Sequence, residues 1–423
     1  MRHSSTAIAV RHGRLATRTA RGPVVRLIAA VVAVAVVSVG AVTAYAIGDT
    51  LHSLKPSIHL VSASGKTITP PTVGAESGAV NILLAGTDTR TGQGGQFSSS
   101  TELAGSSGAG NNDVTMILHL SADHQHATVI SIPRDLMAPI PSCPTSSGAS
   151  SAVDSGQFNT TLSIGGLSCV VLTAEQLTGL TIPYAAEISF DGVTAMSNAV
   201  GGVTVCLATA VTDPYVGLDL PAGEQTLVGA QALAFVRSRH GVGDGSDLGR
   251  ISDQQLFLSA LLRKMTSAGV LSNPITLYGL AKAATSNIQL SDSLDSPTTL
   301  VSIALALRSV PLSDFVFLQY PSMTDPDDVN RVVPEPTGVA VLKQALAADA
   351  PIQLTGTTGG ATETAPSTGA ATATPTPTAT ATGSASTSAP TDAATPTPTS
   401  TAVALPSNVT GQTAAEQTCT KGN

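Results

Sequence analysis

Residues 114–135, VTMILHLSADHQHATVISIPRD, decide the fold class. This stretch contains two apolar, β-branched runs of strand length, at residues 114–120 and 128–132, joined by a short polar turn. A third run, VNILLA, lies upstream at residues 80–85. Charged residues stand beside the ends of all three runs, which is where ligand crevices form in open α/β sheets. The pattern therefore predicts neighbouring strands with a polar site at their ends.

The rest of the body alternates strand-like and helical segments. We predict further strands at residues 186–190, 203–207 and 315–318, which complete the same sheet. Apolar residues at 258, 261, 262 and 265 have helical spacing, and the sequence TAEQ at 173–176 followed by Gly179 is typical of a helix start and stop. A last helix is expected at residues 338–348. This alternation predicts an α/β domain, with a central mixed β-sheet flanked by helices, over residues 80–352.

Charge is distributed unevenly along the chain. Of 20 Lys and Arg residues, six Arg precede the first acidic residue, which leaves 14 basic against 28 acidic residues and a net charge of −8. Because an acidic body repels phosphate backbones, the composition argues against nucleic acid as a partner. Charged residues make up only 11% of the chain, so their clustering is informative.

Residues 27–47, LIAAVVAVAVVSVGAVTAYAI, carry no charge and are long enough to span a bilayer as one helix. The basic residues in 1–26 predict a cytoplasmic N-terminus and an extracytoplasmic body in a single-pass membrane protein. A buried core helix is one alternative. A cleaved signal peptide is another, with Ala44-Tyr45-Ala46 as a small-x-small site. The apolar run exceeds the usual length of a signal-peptide core, which favours the membrane anchor.

Two segments outside the body lack apolar periodicity. Residues 48–79 contain several Pro and Gly and predict an extracytoplasmic stalk. Residues 353–423 form a predicted disordered tail, because residues 355–403 are almost wholly Thr, Ala, Pro, Ser and Gly and offer little apolar area to bury.

The four cysteines show no metal-binding spacing. Since exported thiols tend to be oxidised, we expect one disulfide among Cys143, Cys169 and Cys206. The pair that forms cannot be deduced from spacing, and isolated buried thiols remain the alternative. The sequence predicts no role for Cys419.

Arginine is concentrated in residues 232–255, ALAFVRSRHGVGDGSDLGRISDQQ. If residues 235–239 are extended, Arg237 and Arg239 project from one face and can grip a diphosphate, because guanidinium groups bind phosphate through a planar fork. The alternative is a solvated pair with Asp244 and Asp247 as salt-bridge partners.

Complementary charges follow or precede the first three strands. Asp88 and the Arg134-Asp135 pair come after their strands, whereas Asp113 precedes its own, so they share an edge only if the second strand is antiparallel. Two carboxylates without a His or Cys ligand pattern favour Mg²⁺, which binds through few carboxylates, water and substrate phosphate. Alternatively, Asp88 and Asp113 are turn or capping residues.

Together these segments resemble the LytR-CpsA-Psr family from residue 81 to about residue 265. The matching motifs are NILLAGTDTR, DVTMILHLS, VISIPRD, FNTTLSIGG, GGVTV, ALAFVRSRH and SDLGRISDQQLFL. Members of that family transfer a glycopolymer, such as teichoic acid, from an undecaprenyl-diphosphate carrier to peptidoglycan. The resemblance implies a Mg²⁺-dependent phosphotransferase at the outer face of the cell membrane, with the lipid held in an apolar tunnel.

The resemblance also assigns roles to residues. It implies that Asp88 and Asp113 hold Mg²⁺ and that four arginines grip the diphosphate: Arg134, Arg237, Arg239 and Arg250. Asp247 and Gln254 match positions that orient these arginines, and Arg90 and Asn159 complete a polar mouth. Asp135 and the metal-bound aspartates are alternative candidate acceptors of the hydroxyl proton.

Three positions depart from the family pattern. The family usually has Lys where this chain has Gln157, and Arg where it has Asn111 and Asp253. Each change predicts a less positive pocket. Two alternatives to the transferase therefore stay open: a catalytically weakened scaffold that binds lipid diphosphate, and a polyprenyl-diphosphate phosphatase.

Overall fold

The computed structural model describes residues 48–49, 55–61, 78–90, 110–267, 273–365 and 401–423. The chain divides into two units, residues 1–52 and 53–423. In the first unit the structure describes only Gly48 and Asp49, which are helical. The predicted cytoplasmic segment and membrane span, residues 1–26 and 27–47, lie outside the described residues. No described helix is both long and apolar enough to cross a membrane.

The described part of the second unit contains seven α-helices and 21 short strands. The helices are α1 (Thr161–Thr178), α2 (Phe190–Ala199), α3 (Ala230–Arg237), α4 (Asp247–Thr266), α5 (Pro274–Asn287), α6 (Pro297–Ser309) and α7 (Pro336–Ala347). The strands are β1 (Val80–Thr87), β2 (Asn112–Leu120), β3 (Ala127–Ile132), β4 (Met137–Ile140), β5 (Pro144–Thr145), β6 (Gly148–Ala149), β7 (Val153–Gln157), β8 (Tyr184–Ile188), β9 (Val203–Leu207), β10 (Val211–Asp213), β11 (Leu218–Leu220), β12 (Gly223–Leu227), β13 (Ile288–Leu290), β14 (Phe315–Gln319), β15 (Ser322–Thr324), β16 (Val332–Pro334), β17 (Ile352–Gln353), β18 (Thr362–Thr364), β19 (Val403–Ala404), β20 (Gly411–Thr413) and β21 (Thr418–Thr420).

A seven-stranded mixed sheet forms the centre, in the order β13-β8-β1-β2-β3-β14-β20. Strand β1 runs antiparallel to β2 and parallel to β8, and β3 runs antiparallel to β2 and parallel to β14. The three runs identified at residues 80–85, 114–120 and 128–132 are therefore adjacent, and the predicted central mixed sheet is confirmed.

Apolar side chains cover both faces of this sheet. Because side chains alternate along a strand, Leu83 of β1 packs into one hydrophobic cluster with α1 and α7, while Leu84 packs into another with α4 and α6. Leu83 is fully buried. Helices on both faces explain why the strands read as continuous apolar runs.

A second, four-stranded sheet has the order β12-β9-β21-β18. It packs with α3 and α4 around its own hydrophobic cluster, which includes Val205, Phe235 and Phe257. The run at residues 203–207 was assigned to the same sheet as the others in the sequence, and that assignment is wrong. β9 belongs to the second sheet.

The predicted disordered tail, residues 353–423, is wrong at both ends. Strand β20 pairs with β14 at the edge of the central sheet, and β21 lies between β9 and β18 in the second sheet. Both strands bury polar side chains: Gln412 donates a hydrogen bond to Ser259 Oγ and Thr420 donates one to Asp253 Oδ1. The middle of the predicted tail, residues 366–400, lies outside the described residues.

Part of the predicted stalk, residues 48–79, also belongs to the body. The backbone N–H of Ile58 donates to Leu290 O at 2.8 Å, and the N–H of Asp292 donates to Ile58 O at 3.0 Å. Leu60 is 5% exposed within the main hydrophobic cluster. The folded body therefore extends upstream of residue 80.

Two disulfides join the four cysteines, Cys143 to Cys169 and Cys206 to Cys419. The expected bridge among the three body cysteines is confirmed, as the first of these pairs. The second bridge was not predicted, because Cys419 was assigned to the tail. It ties β21 to β9 across the parallel pair in which Cys419 faces Cys206.

Candidate active site

The antiparallel pairing of β1 and β2 brings the first two candidate carboxylates to one edge of the sheet. Gly86 is opposite Val114 and Thr87 is opposite Asn112, so Asp88 and Asp113 lie at the same end. Arg134 follows β3, the next strand, and comes to this end too. The predicted shared edge, which required an antiparallel second strand, is confirmed.

Arg134 is at the centre of the charged cluster. Its Nη1 atom lies 2.6 Å from Asp113 Oδ1, and its Nε atom lies 3.5 Å from Asp135 Oδ2 and 3.7 Å from Asp247 Oδ1. Burial disfavours its charged form, but these three carboxylates outweigh burial, and the pKa of Arg134 is raised. The guanidinium is thus fixed in its charged state.

The start of α4 supplies two more charges. Ser246 caps this helix by accepting a hydrogen bond from the Gly249 N–H at 3.1 Å. Asp247 therefore lies in the first turn and Arg250 one turn later, and Arg250 Nη2 is 2.7 Å from Asp247 Oδ1. The same Nη2 donates to the carbonyl oxygen of Asp113 at 2.7 Å, which joins the helix to β2.

Arg239 reaches the cluster from the loop after α3. Its Nη2 atom lies 3.9 Å from Asp135 Oδ2, and its Nε atom lies 4.0 Å from Asp247 Oδ1. The pKa of Arg239 is lowered, mainly by burial and then by repulsion from Arg134 and Arg250. A negatively charged ligand oxygen would relieve this repulsion among the three arginines.

A buried carboxylate shapes the Arg239 loop. Asp213, 1% exposed, accepts hydrogen bonds from Ser238 Oγ at 2.8 Å and from the backbone N–H groups of Arg239, Gly241 and Tyr215 at 3.1, 3.3 and 3.1 Å. Burial raises the pKa of Asp213, but these four hydrogen bonds outweigh burial and lower it. Asp213 therefore orients the loop that carries Arg239.

Arg237 occupies a different setting from Arg239. Residues 230–237 are helical, so the predicted extended segment over residues 235–239 is wrong. Its guanidinium carbon lies 4.2 Å above the centre of the Phe190 ring, a cation–π contact. The two arginines nevertheless line one cavity.

Asp135 contacts donors through both of its oxygens. Oδ1 accepts a hydrogen bond from Gln157 Nε2 at 2.6 Å and lies 3.1 Å from Arg331 Nη1, while Oδ2 faces Arg134 and Arg239. Asn159, 8% exposed, lies beside this group, and its N–H donates to Arg134 O at 3.0 Å. The structure thus adds Arg331 to the cluster.

The cluster contains nearly balanced charge. Its five arginines and four aspartates leave a formal charge of +1: Arg134, Arg237, Arg239, Arg250 and Arg331 against Asp88, Asp113, Asp135 and Asp247. The Nε atoms of Arg134, Arg239 and Arg250 are buried and donate no hydrogen bond within the described residues. Both carboxylate oxygens of Asp247, in the same cluster, also lack a hydrogen bond from any described residue. The three convergent donors are therefore compatible with an anionic ligand, which would add the acceptors that Asp135 and Asp247 supply only as ion pairs at 3.5–4.0 Å.

An apolar cavity of about 420 Å³ opens beside these arginines. Its walls are aliphatic and aromatic and come from both sheets and from α2, α3 and α4: Val114, Met116, Val193, Val203, Leu233 and Phe257. Its polar lining includes Asp113, Arg134, Arg239 and Arg250. The site therefore suits a molecule with an apolar body and an anionic end.

Asp88 and Asp113 fit a divalent cation. Burial and then the negative charge of Asp113 raise the pKa of Asp88. Three effects oppose this rise but do not cancel it: the hydrogen bond from the Asn111 N–H, at 2.6 Å, and the positive charges of Arg134 and Arg90. A cation between two repelling carboxylates would relieve this cost. No group of three or more His, Cys, Asp or Glu side chains with metal-binding geometry occurs among the described residues, so the other ligands would be water and substrate oxygens.

Gly110 packs tightly against this carboxylate. It has φ +72°, and a Cβ atom there would lie 2.5 Å from Asp88 Oδ1. A side chain would both strain the backbone and displace the carboxylate.

None of the three residues that depart from the family pattern is among the described residues that line the cavity. Asp253 is fully buried on the side of α4 that faces the second sheet, where its Oδ1 accepts a hydrogen bond from Thr420 Oγ1 at 2.8 Å. The expectation that Asp253 makes the pocket less positive is therefore wrong. Gln157 contacts Asp135, and Asn111 contacts Asp88 through its backbone.

We expect Asp253→Asn to stabilise the protein at high pH. Burial raises the pKa of Asp253 well above its ordinary value of 3.8, against the hydrogen bond from Thr420. The folded protein therefore keeps this proton to higher pH than the unfolded chain, and stability falls as pH rises above about 4. Asn keeps an acceptor without a titrating group.

Thermal melts at pH 5 and pH 8 check this expectation. Asp253→Asn should melt above the wild type at pH 8, with a smaller difference at pH 5. The exposed Asp154→Asn serves as the control. A variant no more stable than the wild type at pH 8 contradicts the interpretation.

Sequence reasoning missed three residues that shape the site. Asp213 and Arg331 lie far along the chain from their partners in the site, Arg239 and Asp135, and no local pattern marks them. Asn112 is fully buried, and its Oδ1 accepts from Leu162 N–H at 3.1 Å, which positions the start of α1 beside β2. Its place next to Asp113 was the one available signal.

The fold and site define a protein with an apolar cavity of about 420 Å³ beside an arginine cluster, and comparison gives its family. The model of the LytR_cpsA_psr family matches residues 36–334. The chain belongs to this family. The recognition made from sequence motifs is confirmed.

The chain is similar to two proteins of Corynebacterium glutamicum. It is 30% identical over 325 residues to the cell wall biosynthesis protein LcpA, covering 72% of this chain and 61% of LcpA. It is 34% identical over 253 residues to the probable cell wall biosynthesis protein LcpB, covering 58% of each. The chain thus spans about three-fifths of the length of these relatives.

A more distant relative carries an enzymatic name. The chain is 26% identical over 296 residues to the polyisoprenyl-teichoic acid–peptidoglycan teichoic acid transferase TagT of Bacillus subtilis, covering 68% of this chain and 83% of TagT. Among solved structures, protein gbs0355 from Streptococcus agalactiae superimposes with a TM-score of 0.51 at 20% identity, over 64% of this chain and 87% of that one. This likeness supports the fold.

Proposed function

We propose that the protein transfers a glycopolymer from a polyprenyl-diphosphate carrier to peptidoglycan. One observation carries the proposal: an apolar cavity ends at buried arginine Nε donors that have no hydrogen-bond acceptor among the described residues. The relatives named for teichoic acid transfer and cell wall biosynthesis support this substrate class. Undecaprenyl diphosphate is the carrier we propose, because it joins a long apolar chain to a diphosphate.

The arginines perform the electrostatic part of the reaction. Attack by an acceptor hydroxyl on the phosphorus next to the glycan expels lipid phosphate, and negative charge spreads over the phosphoryl oxygens. Arg134, Arg239 and Arg250 converge where they can neutralise this charge, and they are already oriented by Asp113, Asp135 and Asp247. Arg237, held against Phe190, lies at the same cavity.

Mg²⁺ is the cofactor we propose, with Asp88 and Asp113 as its protein ligands. When bound, it would supply positive charge to the diphosphate oxygens. Burial and then the charge of Asp113 disfavour the ionised form of Asp88, and a bound cation would offset both effects.

Asp135 was a candidate acceptor for the hydroxyl proton. Its two oxygens already contact Gln157 and three arginines, so an acceptor hydroxyl would have to displace one of these partners. We propose instead that Asp135 holds the arginines in place and that the hydroxyl proton passes to a carboxylate of the proposed metal site, Asp88 or Asp113.

The location we propose is the outer face of the cell membrane, with residues 27–47 as a single anchor and a cytoplasmic N-terminus. The uncharged run, the preceding arginines and the two disulfides of the body support this topology. Peptidoglycan lies on that side of the membrane.

A reconstituted reaction tests the proposal. The purified full chain is incubated with a polyprenyl-diphosphate-linked glycopolymer, peptidoglycan and Mg²⁺, and both lipid phosphate and wall-bound glycan are measured. We expect both products to form together. Binding without release would favour the scaffold alternative, and release without wall-bound glycan would favour the phosphatase.

A further inference from the structure

Two side chains from distant parts of the chain converge on one oxygen of Asp135. Gln157 Nε2 donates to Asp135 Oδ1 at 2.6 Å, and Arg331 Nη1 lies 3.1 Å from the same atom. Gln157 ends β7, whereas Arg331 directly precedes β16. One partner is neutral and the other is a cation, so Arg331 supplies the charge on this side of the carboxylate.

The backbone around Arg331 fixes its approach. The N–H of Val332 donates to Asp135 O at 3.3 Å, and Leu136 forms an isolated bridge with Val332. Within the preceding turn, the N–H of Arg331 donates to Asp328 O at 2.8 Å, and its carbonyl accepts from Asp325 N–H at 3.0 Å. These main-chain hydrogen bonds therefore hold Arg331 beside Asp135.

The charge of Asp135 matters to the anion site. Its other oxygen, Oδ2, lies 3.5 Å from Arg134 Nε and 3.9 Å from Arg239 Nη2. Without Arg331, Asp135 would keep only these two guanidiniums as cationic partners, so it would attract them more strongly and would repel a diphosphate. The formal charge of the cluster would also fall from +1 to zero, since one of its five arginines would be lost and the four aspartates would stay.

We propose that Arg331 is a positioning residue of the active site. It neutralises Asp135, so that Arg134 and Arg239 stay directed at the diphosphate. The hairpin of β15 and β16, outside the motifs that mark the family in this chain, thereby becomes part of the site. The inference rests on the proposed diphosphate-binding function and extends it to one residue of this chain.

The positive charge beside Asp135 Oδ1 can be moved from position 331 to position 157 by substitution. Because residues 157 and 331 contact the same oxygen, Lys at position 157 should replace the cation that Arg331→Met removes. The variants are therefore Arg331→Met, Gln157→Lys and the double variant in the full chain. Arg308→Met, at an exposed arginine on α6, is the matched control.

Two measurements are made on each variant: the Kd for farnesyl diphosphate by calorimetry, and the KM and kcat of glycopolymer transfer. We expect Arg331→Met to weaken binding of farnesyl diphosphate about tenfold. Arg331 is one-third exposed whereas Asp135 is buried, so the effect should lie between those of an exposed and a fully buried charge partner. The double variant should return to within about threefold of the wild type, and KM should change more than kcat.

Three outcomes overturn the inference: wild-type affinity in Arg331→Met, a loss that Gln157→Lys does not reverse, or an equal loss in Arg308→Met. The single and double variants share the same substitution at position 331, so a packing defect there would persist in both. A wild-type protein that binds farnesyl diphosphate without transfer activity contradicts the proposed reaction but still allows the Kd test of Arg331.

Discussion

Arg239→Met is expected to lower the rate of glycopolymer transfer by about 100- to 1000-fold, the loss typical of removing one preorganised donor from a developing oxyanion. Arg239 projects into the cavity beside Arg134 and Arg250, and its Nε donates no hydrogen bond among the described residues. Single-turnover transfer by the purified full chain measures the effect.

The fold should tolerate this change. The backbone N–H of Arg239, rather than its side chain, binds Asp213 and shapes the loop. Burial and then repulsion from Arg134 and Arg250 lower the pKa of Arg239, so removing this cation also relieves repulsion. We therefore expect a melting temperature close to that of the wild type. Transfer at the wild-type rate, or at a rate equal to that of Arg308→Met, would exclude Arg239 from the diphosphate site.

Removing the bridge between Cys206 and Cys419 is expected to cost up to roughly 5 kcal/mol of unfolding free energy. The two cysteines are 213 residues apart, so the bridge strongly restricts the unfolded chain. In the folded protein it holds β21 in the second sheet, next to Asp253 of α4. The double variant Cys206→Ser/Cys419→Ser should therefore unfold at a much lower denaturant concentration than the wild type.

The other bridge provides a matched comparison. Cys143 and Cys169 are 26 residues apart, and their replacement by Ser is expected to cost about 3 kcal/mol. Equilibrium denaturation of both double variants measures the difference. A smaller loss for the Cys206–Cys419 pair would show that the C-terminal strand contributes little to the stability of the body.

The central sheet and most of the charged site could be predicted because their signals are local. Residues 80–85, 114–120 and 128–132 are long apolar runs, and Asp88, Asp113 and Arg134 stand directly beside them in the sequence. Once β2 is antiparallel, their meeting at one edge follows from strand geometry alone.

The C-terminal strands could not be predicted because each is too short to show a pattern. β19, β20 and β21 have two or three residues each and adjoin a long Thr-, Ala- and Pro-rich segment. Their stability comes from pairing with β14, β17 and β9, which are distant in sequence. The prediction of disorder followed the Thr-, Ala- and Pro-rich composition, which contains no information about these long-range strand pairings.

The positioning residues of the site were missed for a related reason. Arg331 contacts Asp135 across 196 positions in the sequence. Asp213, the last residue of β10, shapes the Arg239 loop because it accepts a hydrogen bond from the Arg239 N–H. The helical state of residues 230–237 was also missed, since a short apolar run does not distinguish a strand from a buried helix.

A crystal structure of the protein with a bound polyprenyl diphosphate tests the central claim most directly. The account predicts phosphate oxygens within hydrogen-bond distance of Arg134, Arg239 and Arg250, and a prenyl chain between Val114, Leu233 and Phe257. A diphosphate bound elsewhere, with this cavity lacking the chain, would contradict it.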